Sequence, residues 1–223
     1  MEILAMALAP VLIVGLFIYL RDRYEREPLS LLLWALLAGG LTTLPVYFIE
    51  VFLQGLYHSP DGVAQGAYDA FVVASTTEEV FKYLAFLFVV WSNQNFNEKF
   101  DGIVYAVFVS LGFAGVENVL YVLDGGQETA ILRAFTAVPG HALFGVAMGY
   151  HLGLARFLPE ERTAQLFKAL LVPILLHGIY DFMLMAGEEW LLLLFIPYII
   201  LLWVLGFRRM RAHDRRSPFK PVE

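Results

Sequence analysis

About seven apolar runs, each long enough to cross the hydrocarbon core of a bilayer, follow one another along this chain with only short polar connections between them. They are Ile3–Leu20, Leu29–Leu53, Tyr68–Trp91, Gly102–Leu123, Ala130–Phe157, Ala164–Ala186 and Trp190–Phe207. No polar stretch between them is long enough to fold separately. Residues 1–223 are therefore expected to form one all-α, polytopic membrane domain, because in lipid a helix satisfies its own backbone. Composition agrees: 59% of the 223 residues are hydrophobic and 16% charged, against about 45–50% and about 25% in soluble domains. The chain has no cysteine, which excludes disulfides, thiolate metal ligation and a Cys nucleophile. The first run lacks a basic leader and a small-residue cleavage site, so it is expected to be a retained span.

Orientation follows from Lys and Arg near the span ends. Arg21, Arg23 and Arg26 follow the first run, Lys99 follows the third, and Arg156 and Arg162 flank the connection after the fifth. A basic tail over 208–223 follows the seventh, while the connections after the second and sixth runs have no basic residue. This asymmetry predicts an N-terminus outside and a C-terminus in the cytoplasm. The tail reads as a topology-fixing signal, and its charge also suits acidic lipid headgroups. The net charge of −6 gives no sign of a nucleic-acid partner.

Against this apolar background, Glu78, Glu79 and Lys82 stand in the middle of the third run. Each such group costs about 2.5–3.5 kcal/mol at the centre of a membrane helix, so function is the default reading of all three. Four more positions share the oddity: Glu117 with Asn118, His141, His177 and Asp181. Helix rise puts Glu78 about 15 Å, Glu117 about 9 Å, His141 about 17 Å, His177 about 14 Å and Asp181 about 8 Å from the outer ends of their runs. All of them are thus expected in one cavity of the outer half-membrane. His177 and Asp181 are four apart, so the Asp can hold one ring nitrogen and set the tautomer of the other. Glu50 and Asp69, near outer span ends, are expected to reach water. Gly145, Gly149 and Gly153 form a small-residue ridge for close helix packing. Pro139-Gly140 suggests a helix break just before His141.

These residue types leave two hydrolytic schemes. In one, a Glu activates water as general base and imidazoles stabilise an oxyanion. In the other, His141, His177 and a carboxylate, Glu117 being the candidate, hold a Zn²⁺ that acidifies water. Spacing does not choose between them. Intramembrane Glu/His chains also serve transporters and proton relays, and a membrane scaffold or immunity protein could keep the same fold without activity.

Four blocks around these residues carry a family resemblance: EEVFK at Glu78–Lys82, DGIVYAVFVSLGFAGVENVLY at Asp101–Tyr121, PGHALFGVAMGY at Pro139–Tyr150 and LLHGIYDF at Leu175–Phe182. Their order and content resemble the PrsW intramembrane proteases, which look related to the CAAX prenyl-protease and abortive-infection membrane proteins. The motifs Phe113-x-x-x-Glu117 and His177-x-x-x-Asp181 depart from the CAAX pattern and favour PrsW proper. The resemblance implies an intramembrane endopeptidase of the bacterial cytoplasmic membrane, with core helices over about 68–186. Its substrate would be a single-pass anti-sigma factor, cut on the extracytoplasmic side to activate a sigma factor in a stress response. It implies Glu78, Glu79, Glu117, His141, His177 and Asp181 as the catalytic set, with Lys82, Phe113 and Asn118 in support.

Overall fold

A computed structural model describes residues 2–221; Met1 and residues 222–223, the extremities of the expected domain and of its basic tail, lie outside the described residues. The fold is all-α, with no strand among the described residues. Its helices are α1 (Glu2–Arg21), α2 (Leu29–Gln54), α3 (Gly62–Tyr68), α4 (Thr76–Val89), α5 (Lys99–Phe135), α6 (Ala137–Phe157), α7 (Arg162–Met185) and α8 (Glu189–Asp214). A π-helical turn, Asp69–Ser75, joins α3 to α4 without a gap.

By length and composition, five helical stretches among the described residues are apolar enough to cross a membrane, one of them holding two of the seven expected spans. Two of the expected spans account for the difference. The third begins at Gly62 because Asp61 caps it, its side chain accepting from the amides of Val63 and Ala64. That helix is divided by the π turn and carries four charged residues, Asp69, Glu78, Glu79 and Lys82, so no part of it is both long and apolar. The fourth and fifth expected spans form a single helical run, Lys99–Phe157. The loop expected around residues 124–128 shrinks to a reversal at Gly126, whose φ of 71° and ψ of −156° only glycine adopts readily.

That reversal, inside α5, folds its first arm (residues 99–125) back antiparallel to the rest of α5 and to α6, a hairpin. Gly102 faces Gly149 and Lys99 faces Gly153, backbone against backbone. A Cβ at Gly149 would run into the Gly102 carbonyl, so the ridge of small residues on α6 sets how closely the two helices approach. The hairpin is the centre of the molecule: 72% of its most apolar stretch is buried, against 28% for α1, α2 and α8. Those outer helices turn Leu12, Ile13, Leu41, Phe48 and Leu193 outward, as lipid-facing helices do.

The helix break near His141 falls at Thr136, three residues before Pro139. Pro139 then sits in the first turn of α6, where its missing N–H costs nothing. The start of the basic tail, through Asp214, continues α8 as helix.

Candidate metal and catalytic centre

The π turn sets the register of the acidic pair. A π turn leaves carbonyls poorly paired, and here a run of hydroxyls answers them. Thr76 Oγ1 donates to the Phe71 carbonyl at 2.6 Å, Ser75 Oγ to the same carbonyl at 3.3 Å, and Thr77 to the Val73 carbonyl. Glu78 and Glu79 follow at once and point into the bundle, with Glu79 fully buried.

Lys82 lies one turn further on, also fully buried. Its ammonium donates to Glu78 Oε2 at 2.9 Å and to Glu79 Oε1 at 2.8 Å. The Phe113 ring, from α5, lies 4.3 Å from the same nitrogen, a cation–π contact. The ammonium also stands 3.1 Å from His141 Nδ1. Having no lone pair, it can only donate, so Nδ1 accepts and the ring proton sits on Nε2. His141 Nε2 in turn faces Glu117 Oε2 at 2.8 Å.

His177 is held in the same way from α7. Its Nδ1 lies 3.0 Å from Glu79 Oε1 and its Nε2 lies 3.2 Å from Asp181 Oδ2. Phe144, three residues after His141 and so on the same face of α6, stacks on the His177 ring with centroids 4.6 Å apart. Both imidazoles therefore turn Nε2 towards an outer carboxylate and Nδ1 towards the acidic pair, His177 directly and His141 at 3.9 Å from Glu78, beside the Lys82 ammonium.

One donor atom from each of Glu78, Glu79, His141 and His177 lies within 4.8 Å of all the others. Two imidazoles and two carboxylates are a donor set suited to a first-row metal. Glu79 Oε2 is buried with no hydrogen-bond partner, an acceptor awaiting a ligand. The two imidazoles and the acidic pair thus offer enough donors for a metal, with a carboxylate of that pair in place of the Glu117 expected as a ligand, and a metal on His141 Nδ1 would take that nitrogen from the Lys82 ammonium. Glu117 stands behind His141, engaged with Nε2, because it lies on the far side of that ring.

The remaining expected residues have other neighbours. Asn118 Nδ2 donates to the Ala7 carbonyl at 2.7 Å, which ties α1 to α5 and leaves Asn118 outside the centre. Its Oδ1 accepts from Arg133 Nε at 2.8 Å. Arg133 Nη2 forms an ion pair with Glu117 at 3.0 Å, a partner that sequence reasoning missed. The two residues lie on opposite arms of the α5–α6 hairpin, so a reversal near Gly126 was the signal that would have found the pair. Glu50, expected in water, lies 3.3 Å from the hydroxyl of Thr77, the residue just before Glu78.

The fold and this centre define a class: a helical membrane protein with carboxylates and imidazoles gathered inside the bundle. Comparison with known proteins narrows it. Residues 27–206 match the model of a family described as PrsW family intramembrane metalloprotease. Protease PrsW of Geobacillus kaustophilus is 39% identical, the match covering 100% of this chain and 98% of that protein. Protease PrsW of Oceanobacillus iheyensis is 38% identical over 97% and 98%, and that of Bacillus subtilis 36% identical over 94% of each. No solved structure matches significantly. This chain belongs to the PrsW family of intramembrane metalloproteases.

Proposed function

We propose that this protein is an endopeptidase of a bacterial cytoplasmic membrane. It hydrolyses a peptide bond of a single-pass membrane protein on the extracytoplasmic side, and its substrate is an anti-sigma factor whose cleavage begins release of a sigma factor. The reading rests most on one observation: each imidazole turns Nε2 to an outer carboxylate and Nδ1 to the Glu78/Glu79 pair. A carboxylate behind a histidine fixes the ring's tautomer and raises the basicity of its other nitrogen, the usual second layer of a metal centre.

In this reading His141, His177 and Glu79 would hold Zn²⁺, since two nitrogens and an oxygen are ligands that zinc accepts. When bound, the metal lowers the pKa of water and polarises the scissile carbonyl. Glu78 is the general base. Of the pair it alone keeps some exposure, and only its Oε2 is committed to Lys82. Glu117 and Asp181 orient the two rings, and Arg133 offsets the charge of Glu117. Lys82 is a counter-ion that keeps two buried carboxylates together. Phe113 and Phe144 wall the centre and exclude water.

Single-domain organisation, seven crossings, an external N-terminus and a cytoplasmic C-terminus complete the proposal, supported by the basic residues flanking the runs. The test is cleavage of a co-reconstituted single-pass protein in vesicles. Cleavage that stops with a chelator, returns with Zn²⁺ and falls at least about 10²-fold in Glu78→Gln supports it. Unchanged cleavage in that variant, or none by the wild-type protein with any such substrate, would leave a transporter or scaffold as the better account.

A further inference from the structure

At the far end of α5 from Glu117, about 24 Å along the helix, stands a second cluster of acids. Asp22 and Glu27 come from the connection between α1 and α2, and Asp101 from the first turn of α5. All three side chains are buried, none more than 2% exposed. One carboxylate oxygen from each lies within 4.8 Å of one from each of the others.

Two of the carboxylates are held in place, and each of the three has an oxygen that receives no hydrogen bond. Asp101 Oδ2 accepts from the amides of Asn97 at 2.8 Å and Glu98 at 2.7 Å, while its Oδ1 has no partner. Glu27 Oε2 accepts from the Tyr105 hydroxyl, while its Oε1 has no partner. Asp22 Oδ2 is likewise buried without one. Among the described residues no Lys, Arg or His forms an ion pair with any of the three; Arg21 and Arg23, on either side of Asp22, turn to Asp214, and Arg26, beside Glu27, lies over the Tyr19 ring.

Three convergent carboxylates with oriented second oxygens, buried and lacking a cation, constitute an incomplete charge arrangement. Oxygen donors alone, with no imidazole near, select a hard ion. We propose that Asp22, Glu27 and Asp101 form a second metal site, separate from the catalytic centre, that binds a hard divalent cation of the Mg²⁺, Ca²⁺ and Mn²⁺ class. The ion staples the α1–α2 connection to the start of α5, whose first arm also carries Glu117. The Tyr105 hydroxyl and the amides at the α5 N-terminus serve as the outer layer that aims the ligands.

Mn²⁺ is the probe, used on the full chain in detergent after chelator treatment. In a His141→Ala/His177→Ala background, which removes the imidazole centre, one Mn²⁺ per folded chain is expected by equilibrium dialysis. Adding Asp22→Asn or Glu27→Gln is expected to weaken that binding at least tenfold. Glu27→Gln keeps an acceptor for Tyr105, and helicity by circular dichroism checks folding in each case. A measurement independent of these variants uses the wild-type chain preloaded with Zn²⁺: pulsed EPR of added Mn²⁺ is expected to show no nitrogen modulation. No Mn²⁺ bound, which would mean that the carboxyls hold protons instead, overturns the proposal. So does unchanged affinity in both acid variants, or nitrogen modulation in the EPR spectrum.

Discussion

His177 stands between two carboxylates from different helices, its Nδ1 3.0 Å from Glu79 and its Nε2 3.2 Å from Asp181. The Asp181 contact spans one turn of α7, whereas the Glu79 contact depends on α7 packing against the π turn. If Asp181 orients the ring, Asp181→Asn should lower metal affinity or activity by about 10–100-fold with the fold intact. Metal content by plasma emission spectroscopy, measured beside the cleavage rate, checks it. Full metal content and full activity would reduce Asp181 to packing.

The two glutamates should fail differently. Glu78→Gln is expected to cut turnover at least about 10²-fold while the protein keeps its metal, the loss typical of a missing general base. Glu79→Gln is expected to lose metal along with activity. Parallel metal analysis separates the two; metal lost from Glu78→Gln and kept by Glu79→Gln would reverse the roles.

Lys82 is buried against both glutamates and the Phe113 ring. Removing one partner of a buried ion pair costs about 3–5 kcal/mol, because the charge left behind has no compensation. Lys82→Met should therefore lower the unfolding midpoint sharply, and Lys82→Arg should keep more stability and more activity. Thermal unfolding in detergent measures the first and the vesicle assay the second. A Lys82→Arg protein that folds but is wholly inactive would show a role beyond charge.

Gly149→Val should strain the hairpin, since a side chain there meets the Gly102 backbone. Overpacking of this kind costs about 1–3 kcal/mol. A lower midpoint in thermal unfolding is the expected readout, and an unchanged midpoint would mean that the helices separate freely.

Orientation is open to a direct check. A reporter fused after Glu223 should be active only when the reporter is a cytoplasmic one, in keeping with Arg208, Arg209, Arg211, Arg215 and Arg216 before it. Activity of an export-dependent reporter at that position would invert the topology.

Much of the centre was legible because each polar residue stands alone in an apolar run, where its cost marks it out. Contacts within one helix were legible too: Glu78 with Lys82, and His177 with Asp181, follow from helical spacing. Less legible was the connection at residues 124–128, whose polar composition suggests a loop. A single glycine at positive φ makes the turn instead, since the two helices pack too closely to need more chain. Glu117 was expected as a ligand and stands behind His141, because spacing along a helix says nothing about which ring nitrogen a neighbouring helix meets.

By itself, then, the sequence determined the all-α membrane class, since long apolar runs have few other ways to satisfy their backbone, and it picked out the residues that must be paired. Tertiary structure alone decided the pairing. The π turn rotates the acidic pair inward, the glycine ridge sets the α5–α6 register, and together they bring four donors within 4.8 Å of one another. Distances between helices depend on the closest approach of their backbones, a property of packed surfaces that no periodicity in a single helix records.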